Sequence, residues 1–429
     1  MHSKKMLLTN FSRAIHSESV CVRPDNEKQL ADYLTLNKPT NILARGTGLS
    51  YSDSCLNENG LVIDTKRLNH LIHFDSSSGT VVCQGGTSFK DLFLLDPEFI
   101  PPVLPGTVHA TVAGGLAHDV HGKNNSLEGS LGHHISWFEL LLNDKTIRCS
   151  REQHPDLFHA TIAGLGLTGI ITRVAIRLKK ASRFVQVENT VWDSINSLTD
   201  QMSTNSTHYD YQVAWLDLLH SSPRALLSTA NHCPPIPYKE KKSHTVPRLP
   251  FGLIRSWNMK LFNSFYISSK KAREQISLEE FNNPLDKIGR WNRLYGPNGL
   301  IQFQAVFDKD NVLDTLEHLL KLIHHHRATP SLAVLKLFGQ SGEGLLSFCK
   351  PGFTLAIDFI HNEQAKKAIK AMNQWITEIN GRIYLAKDLL LIPEQYQKMY
   401  INHTRFSQIL SDNQCRMQSD LAKRLGIKR

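Results

Sequence analysis

No stretch of this chain approaches the ~18–20 consecutive apolar residues that a membrane-spanning helix needs, so no such span is expected. Its seven cysteines (Cys21, Cys55, Cys83, Cys149, Cys233, Cys349 and Cys415) are odd in number, widely scattered and free of any C-x-x-C pair. That pattern supplies neither a disulfide framework nor a zinc ribbon, and it is what a reducing compartment allows. Two phosphate-binding signatures are also missing. No G-x-G-x-x-G follows the first strand with an acidic residue about 20 positions on, and there is no G-x-x-x-x-G-K-[ST], which sets aside a Rossmann or P-loop site. The start "MHSKKMLLTNFSRAIHSESV" is basic, but Asn10, Ser12 and Arg13 interrupt its apolar stretch. It makes a poor secretory signal, and a cytoplasmic protein is expected.

What is present points to an ordinary globular chain. Its 429 residues exceed the roughly 250–300 at which a single core stops growing, so two domains are expected. Short apolar runs bounded by glycine fill the first ~180 residues and read as strands and turns: "TNILARGTG", "GLVIDTK", "GTVVCQGG", then a helix from about Ser88. "HISWFELLLNDKTIRCS" reads as two strands about an Asn143-Asp144 turn, "HPDLFHATIAGLG" as a short helix, and "GIITRVAIRLKK" as a strand. Further on, "QVAWLDLL", "LIQFQAVF", "LAVLKLFG" and "FTLAIDFI" are strand candidates, while residues 311–326 and 362–379 carry apolar residues at helical spacing. The class is therefore α+β. The expected division is residues 1–182, a second domain over 183–381, and a tail 382–429 that packs back on the first.

Charge is uneven. Between Lys239 and Arg273 lie nine basic residues and a single acid, Glu240, interleaved with Phe251, Trp257, Phe262, Phe265 and Tyr266. The window reads either as a mobile, solvated insertion or as a surface for anionic lipid or a lipid-linked phosphate. No nucleic-acid motif accompanies it.

Three glycine clusters lie in the first domain: "ARGTGLSYSD", "PGTVHATVAGG" with its extension "LAHDVHGKNNS", and "GLGLTGII". Glycine permits φ > 0 and lets a ligand approach backbone N–H groups, and successive N–H groups bind an anion without a lysine. Three clusters fit a long, flat, phosphate-bearing cofactor better than a single phosphate. His118 and His121, three apart with Asp119 between them, also suit a metal pair, but their glycine-flanked setting offers neither a helix nor further ligands. No metal is expected there, nor at His324-His325-His326, which end a helix.

Taken together, "ILARGTGLSYSD", "LPGTVHATVAGGLAHDVHGKN", "EGSLGHHI" and "LFHATIAGLGLTGIIT" resemble the FAD-binding domain of the vanillyl-alcohol oxidase / p-cresol methylhydroxylase (PCMH) class. Within that class the chain is similar to the decaprenylphosphoryl-β-D-ribose oxidase family. "YQVAWLDLL", "IQFQAVF", "LKLFG", "GFTLAIDF" and "NGRIYLAKD" extend the likeness in the same order, weakest from about Pro234 to Pro297. The resemblance implies a two-domain flavoprotein whose PCMH-type FAD domain faces a substrate domain built on an antiparallel sheet with flanking helices.

By this resemblance Ala44, Arg45, Gly46, Thr47, Gly48, Leu49, Ser50, Tyr51, Ser52, Asp53 and Ser54 wrap the cofactor diphosphate. Gly106, Thr111, Val112, Ala113, Gly114, His118, Asp119, Val120, His121, Ile171 and Tyr384 line the rest of the FAD. Many relatives attach FAD to a histidine where this chain has Leu49, which has no nucleophile, so dissociable FAD is expected. Lys387 matches the family's active-site lysine, and His121 and Tyr51 join it as catalytic candidates. Gln302 and Gln304 alternate along one strand and share a face; with Lys336, Trp215 and Lys387 they are the substrate candidates. Ala356 stands where the family has a cysteine, and "HGKNNS" replaces "HGKNHH".

The first reading is an FAD-dependent oxidoreductase that oxidises a secondary hydroxyl of a glycosyl carrier, a polyprenyl-phosphate pentose. A separate NAD(P)H-dependent reductase would complete an epimerisation, and the basic window would hold the enzyme peripherally at the membrane. The alternatives are an oxidase of a soluble aldonolactone or alditol and, in another class, an inactive scaffold in glycan assembly.

Overall fold

The computed structural model describes residues 1–219, 224–237 and 243–427. Lys239, Glu240, Lys241 and Lys242 of the basic window lie outside the described residues.

The N-terminal half contains two larger sheets and a two-stranded pair, Phe99–Ile100 with Lys179–Lys180. The first runs in the order Ser3–Thr9, His16–Val22, Leu61–Asp64, Ile42–Arg45, antiparallel across its first pair and parallel thereafter. The second is antiparallel, in the order Leu71–Asp75, Thr80–Gln84, Ile170–Arg177, Ile135–Leu142, Lys145–Ser150. Local chemistry sets the connections. Asn143 takes φ +57 in the hairpin between the last two of these strands, a conformation asparagine tolerates. Ser88 and Asp91 form a reciprocal capping box that starts the helix Phe89–Leu95.

An eight-stranded antiparallel sheet follows, in the order Arg273–Ser277, Phe184–Trp192, Arg224–Cys233, Tyr211–Asp217, Pro330–Phe338, Gly352–Ile360, Leu300–Phe307, Arg382–Ile383. Alternation divides its residues between two faces. Phe303, Phe307, Phe353 and Phe359 turn to one side and are fully buried. The helices Val312–His325 and Glu363–Glu378 cover that side; the second is capped by Asn362, whose side chain accepts from the Ala365 N–H. Ala365, Ala368, Ile369, Met372 and Ile376 form its buried stripe, the 3–4 spacing of a core-facing helix. The other face presents Gln302, Gln304, Trp215, Val334, Lys336 and Ala356 to a cleft shared with the N-terminal half. The molecule is thus an α+β protein in which two units face each other across a cleft.

Past the short strand Arg382–Ile383, the chain returns to the first half. The Gln418 N–H donates to the Ile42 carbonyl at 2.7 Å and the Asp420 N–H to that of Leu56 at 2.8 Å. Arg424, from the last helix, holds both oxygens of Asp53 at 2.8 Å and Asp388 Oδ2 at 2.9 Å. Burial pushes the Asp53 carboxyl up, against the lowering effect of Arg424.

This triad sets a testable stability. Arg424→Met leaves two buried carboxylates without a counter-ion and should lower the unfolding free energy by about 3–5 kcal/mol near neutral pH. A carboxyl whose folded pKa lies above its unfolded value favours the folded state at low pH and loses that contribution as pH rises. The deficit of Arg424→Met relative to wild type should therefore shrink on acidification. Denaturant melts of the two proteins across pH would check this; a deficit that does not change with pH would show that the carboxylates are not its source.

Candidate active site

The cleft has a volume of about 1450 Å³, more than the ~300–1,000 Å³ of a pocket for one drug-sized ligand. It has room for a long cofactor and a substrate together. The strand Ile42–Arg45 delivers the chain into the turn Gly46–Ser50 on one wall. Gly46 has no alternative there, because a Cβ would overlap Thr111 Oγ1. Gly48 takes φ +69, and a Cβ on it would collide with the Arg45 guanidinium. That guanidinium is fixed by the carbonyls of Cys55 (2.6 Å) and Thr9 (2.8 Å). Among the described residues, the N–H groups of Thr47, Gly48, Leu49 and Ser50 find no protein acceptor. Consecutive free amides of this kind make an anion-binding concavity. At Gly106 and Gly166, both cleft-lining, the space a Cβ would occupy is open, so bare backbone faces the ligand.

One carbonyl ties this wall to the opposite sheet. Ala386 O accepts from Ser50 Oγ at 2.8 Å, the Tyr51 N–H at 3.1 Å and the Ser52 N–H at 3.2 Å. The same loop hangs from the sheet through the Tyr384 N–H, which donates to Gln304 O at 2.9 Å. Lys387, the residue after Ala386, places its Nζ 3.6 Å from the centroid of the Tyr51 ring, a cation–π contact.

His118 is held by Ser54 Oγ at 3.0 Å and Gly114 O at 3.0 Å. His121 faces two donors: Lys336 Nζ lies 3.1 Å from Nδ1, and the Gln304 carboxamide lies 3.2 Å from Nε2. A neutral imidazole has one N–H. With Lys336 donating to Nδ1, the proton belongs on Nε2 and the carboxamide must turn its oxygen to the ring. That oxygen then also accepts from Thr354 Oγ1, 3.3 Å away. Burial, then Lys336 and Lys387, push the His121 pKa well down, so the ring is neutral.

The cations of the cleft are poorly matched by anions. Burial lowers Lys336 to about 8. Burial, with Lys336 and Lys270 adding to it, lowers Lys123 to about 7. Lys123 Nζ donates to the Phe281 carbonyl and sits 4.5 Å from the Phe281 ring centroid. Among the described residues no carboxylate pairs with Lys123 or Lys336. Lys387 is also lowered by burial; Asp358 opposes that shift and Lys336 adds to it. Asp358 itself is fully buried and raised by burial. It lies opposite Gln302 in the sheet and accepts from the Gln302 carboxamide.

Most residues singled out in the sequence line this cleft, from Ala44 through Tyr51 and Ser54 on the turn, through His118 and His121, to Tyr384 and Lys387. Four do not. Ser52 is buried behind the turn in a hydroxyl network with Ser50 and Ser54. Both oxygens of Asp53 are taken by Arg424. Val112 is buried in the core. Asp119 accepts from Ser130 Oγ, the Gly132 N–H and Ser347 Oγ, so it braces the histidine loop from behind. Sequence reasoning missed Lys123 and Asp358. Lys123 stood in the quoted "HGKNNS"; Asp358 needed the strand register.

An FAD binding domain model matches residues 19–150. The chain is 31% identical over 413 residues to decaprenylphosphoryl-β-D-ribose oxidase of Mycolicibacterium smegmatis, covering 90% of this chain and 89% of the relative. The chain belongs to that family. It is also 28% identical to a putative D-arabinono-1,4-lactone oxidase of Neurospora crassa, over 36% of this chain and 29% of the relative. Cytokinin dehydrogenase 8 of Oryza sativa is 26% identical over 51% of this chain and 46% of the relative. The protein is an FAD-dependent oxidoreductase. The free amides of the glycine turn and the open backbone at Gly106 and Gly166 fit that cofactor.

Leu49 lines the cleft and has no atom able to bond a flavin. Acid or SDS denaturation of the yellow protein should release all its colour into solution; flavin remaining on the washed polypeptide would contradict this.

Proposed function

We propose that the protein oxidises a secondary hydroxyl of a polyprenyl-phosphate pentose to a keto sugar, the first half of an epimerisation that a separate NAD(P)H-dependent reductase completes. The observation that carries this reading is the pair Lys123 and Lys336, two cations in the cleft with no carboxylate partner among the described residues. Unpaired cations in a low-dielectric wall are costly unless an anion arrives, and a glycosyl phosphate brings one.

Oxidation removes a hydride from the carbinol carbon and releases the hydroxyl proton to water in the cleft, leaving a carbonyl. When bound, FAD supplies the acceptor for the hydride. The turn Gly46–Ser50 would hold the diphosphate through its amides, and Tyr384, Ile171 and the loop Gly114–His121 would line the remainder of the cofactor. Lys387, fixed over Tyr51, would supply positive charge to offset the negative charge that gathers on the bound cofactor during reduction. His121, neutral and with its two ring nitrogens engaged by Lys336 and Gln304, positions those two side chains toward the reacting sugar. Lys336 and Lys123 hold the phosphate, with Gln302 and Trp215 along the sugar. No helix among the described residues is long and apolar enough to cross a membrane.

Anaerobic mixing separates the substrates. A polyprenyl-phosphate pentose should bleach the bound flavin where free aldonolactones do not; bleaching by lactones alone would overturn the reading. Lys387→Ala should lower kcat by about 10²–10³-fold, and full activity in a folded, flavin-loaded variant would remove its assigned role.

The pH profile gives an independent check. Lys123 and Lys336 are charged below about 7 and about 8. As pH rises through that window they lose charge and their hold on phosphate. kcat/KM, which reports the free enzyme, should fall from pH 7 upward for the phosphate substrate. Lys336→Met should flatten the upper part of that decline.

A further inference from the structure

We infer that the helix Ser256–Ser269 docks the enzyme on an anionic membrane, laying Trp257, Leu261 and Phe265 among the headgroups at the mouth of the cleft. The inference rests on the lipid-linked substrate proposed above and adds the surface that would receive it. The sequence alone left this window open between a mobile, solvated insertion and a lipid surface; within it the structure shows a helix of 14 residues.

That helix is apolar on two sides. Met259, Asn263 and Ile267, four apart, face inward, and Asn263 Nδ2 donates to Asp217 Oδ1 at 2.9 Å. Trp257, Leu261 and Phe265, also four apart, form a row on the outer side with exposures of 68%, 66% and 71%. Single exposed apolar residues are ordinary, but a contiguous row marks an interaction surface. Phe251 and Leu253, exposed just before the helix, extend it.

Charge favours lipid over protein as the occupant. Residues 243–272 contain Arg248, Arg255, Lys260, Lys270 and Lys271 and no acid at all; Arg273, next in line, is paired with Glu188. Protein interfaces are depleted of lysine and mix charges of both signs, whereas single-sign basic residues beside exposed aromatics suit an anionic bilayer. Position favours it too. The same helix sends Phe262 and Tyr266 into the cleft wall, with the Tyr266 ring 4.5 Å from that of Trp215. One side of the helix thus touches the sugar pocket while the other is free for lipid. A carrier could keep its chain in the bilayer and still present its phosphate to Lys336.

Flotation of the flavin-loaded full chain tests this, using vesicles of phosphatidylcholine with and without phosphatidylglycerol. The protein should float only with the anionic vesicles, and tryptophan emission should shift blue in wild type but not in Trp257→Phe. Leu261→Asp with Phe265→Asp, and separately Lys260→Glu with Lys271→Glu, should each weaken flotation by more than about tenfold while keeping flavin content. Absence of flotation, wild-type flotation in both double variants, or a row that instead mediates self-association in solution would overturn the proposal. Flavin bleaching by detergent-solubilised polyprenyl-phosphate pentose is read in parallel. Failed flotation with intact bleaching sinks the docking surface alone; failed bleaching with intact flotation sinks the substrate assignment alone.

Discussion

The carbonyl of Ala386 is where the two halves of the molecule meet in register. Three donors from the glycine turn converge on it, and two residues earlier the same loop is tied to Gln304 in the middle of the eight-stranded sheet. The glycine-turn wall and the sheet wall of the cleft are therefore referenced to each other through a few backbone bonds instead of through long side chains. Lys387 and Tyr51 flank that junction, so their contact is set by backbone geometry. Chemistry that needs a cation within a few ångströms of a flat ring depends on such fixed placement.

The sheet explains why polar residues survive in an otherwise apolar middle domain. Each strand gives one face to the helices and one to the cleft, so a glutamine can sit beside a phenylalanine without entering the core. Gln302, Gln304, Lys336 and Trp215 all use the cleft-facing position. The cost is that Lys123 and Lys336 have no carboxylate partner among the described residues, which is tolerable because the cleft remains open to water or ligand.

Much of this was legible in the sequence. The alternation in "LIQFQAVF" identified the strand and the shared face of Gln302 and Gln304, and all three glycine clusters contribute residues to the cleft. The helices at residues 312–325 and 363–378 followed from apolar spacing. Other elements were hidden for physical reasons. The helix Ser256–Ser269 has apolar residues on both sides with bases between them, so it carries no single stripe to detect. Asp358 sits in an apolar run and acquires meaning only when strand pairing sets it against Gln302. Asp53 stands in the right motif, but its partner Arg424 lies at the other end of the chain; Asp119 is held by Ser130 and Gly132 as well as by the distant Ser347, and no sequence pattern shows that either side chain turns backward.

The close approach of Gly46 to Thr111 carries a consequence for how such proteins diverge. Thr111 also caps the short helix that follows it, through the Gly114 N–H, so it cannot shrink without loosening that helix. Any side chain at position 46 is therefore blocked until position 111 has already changed, and that first change is itself unfavourable. Neither single step is open to neutral drift, and the pair should be inherited as a unit wherever this turn is kept.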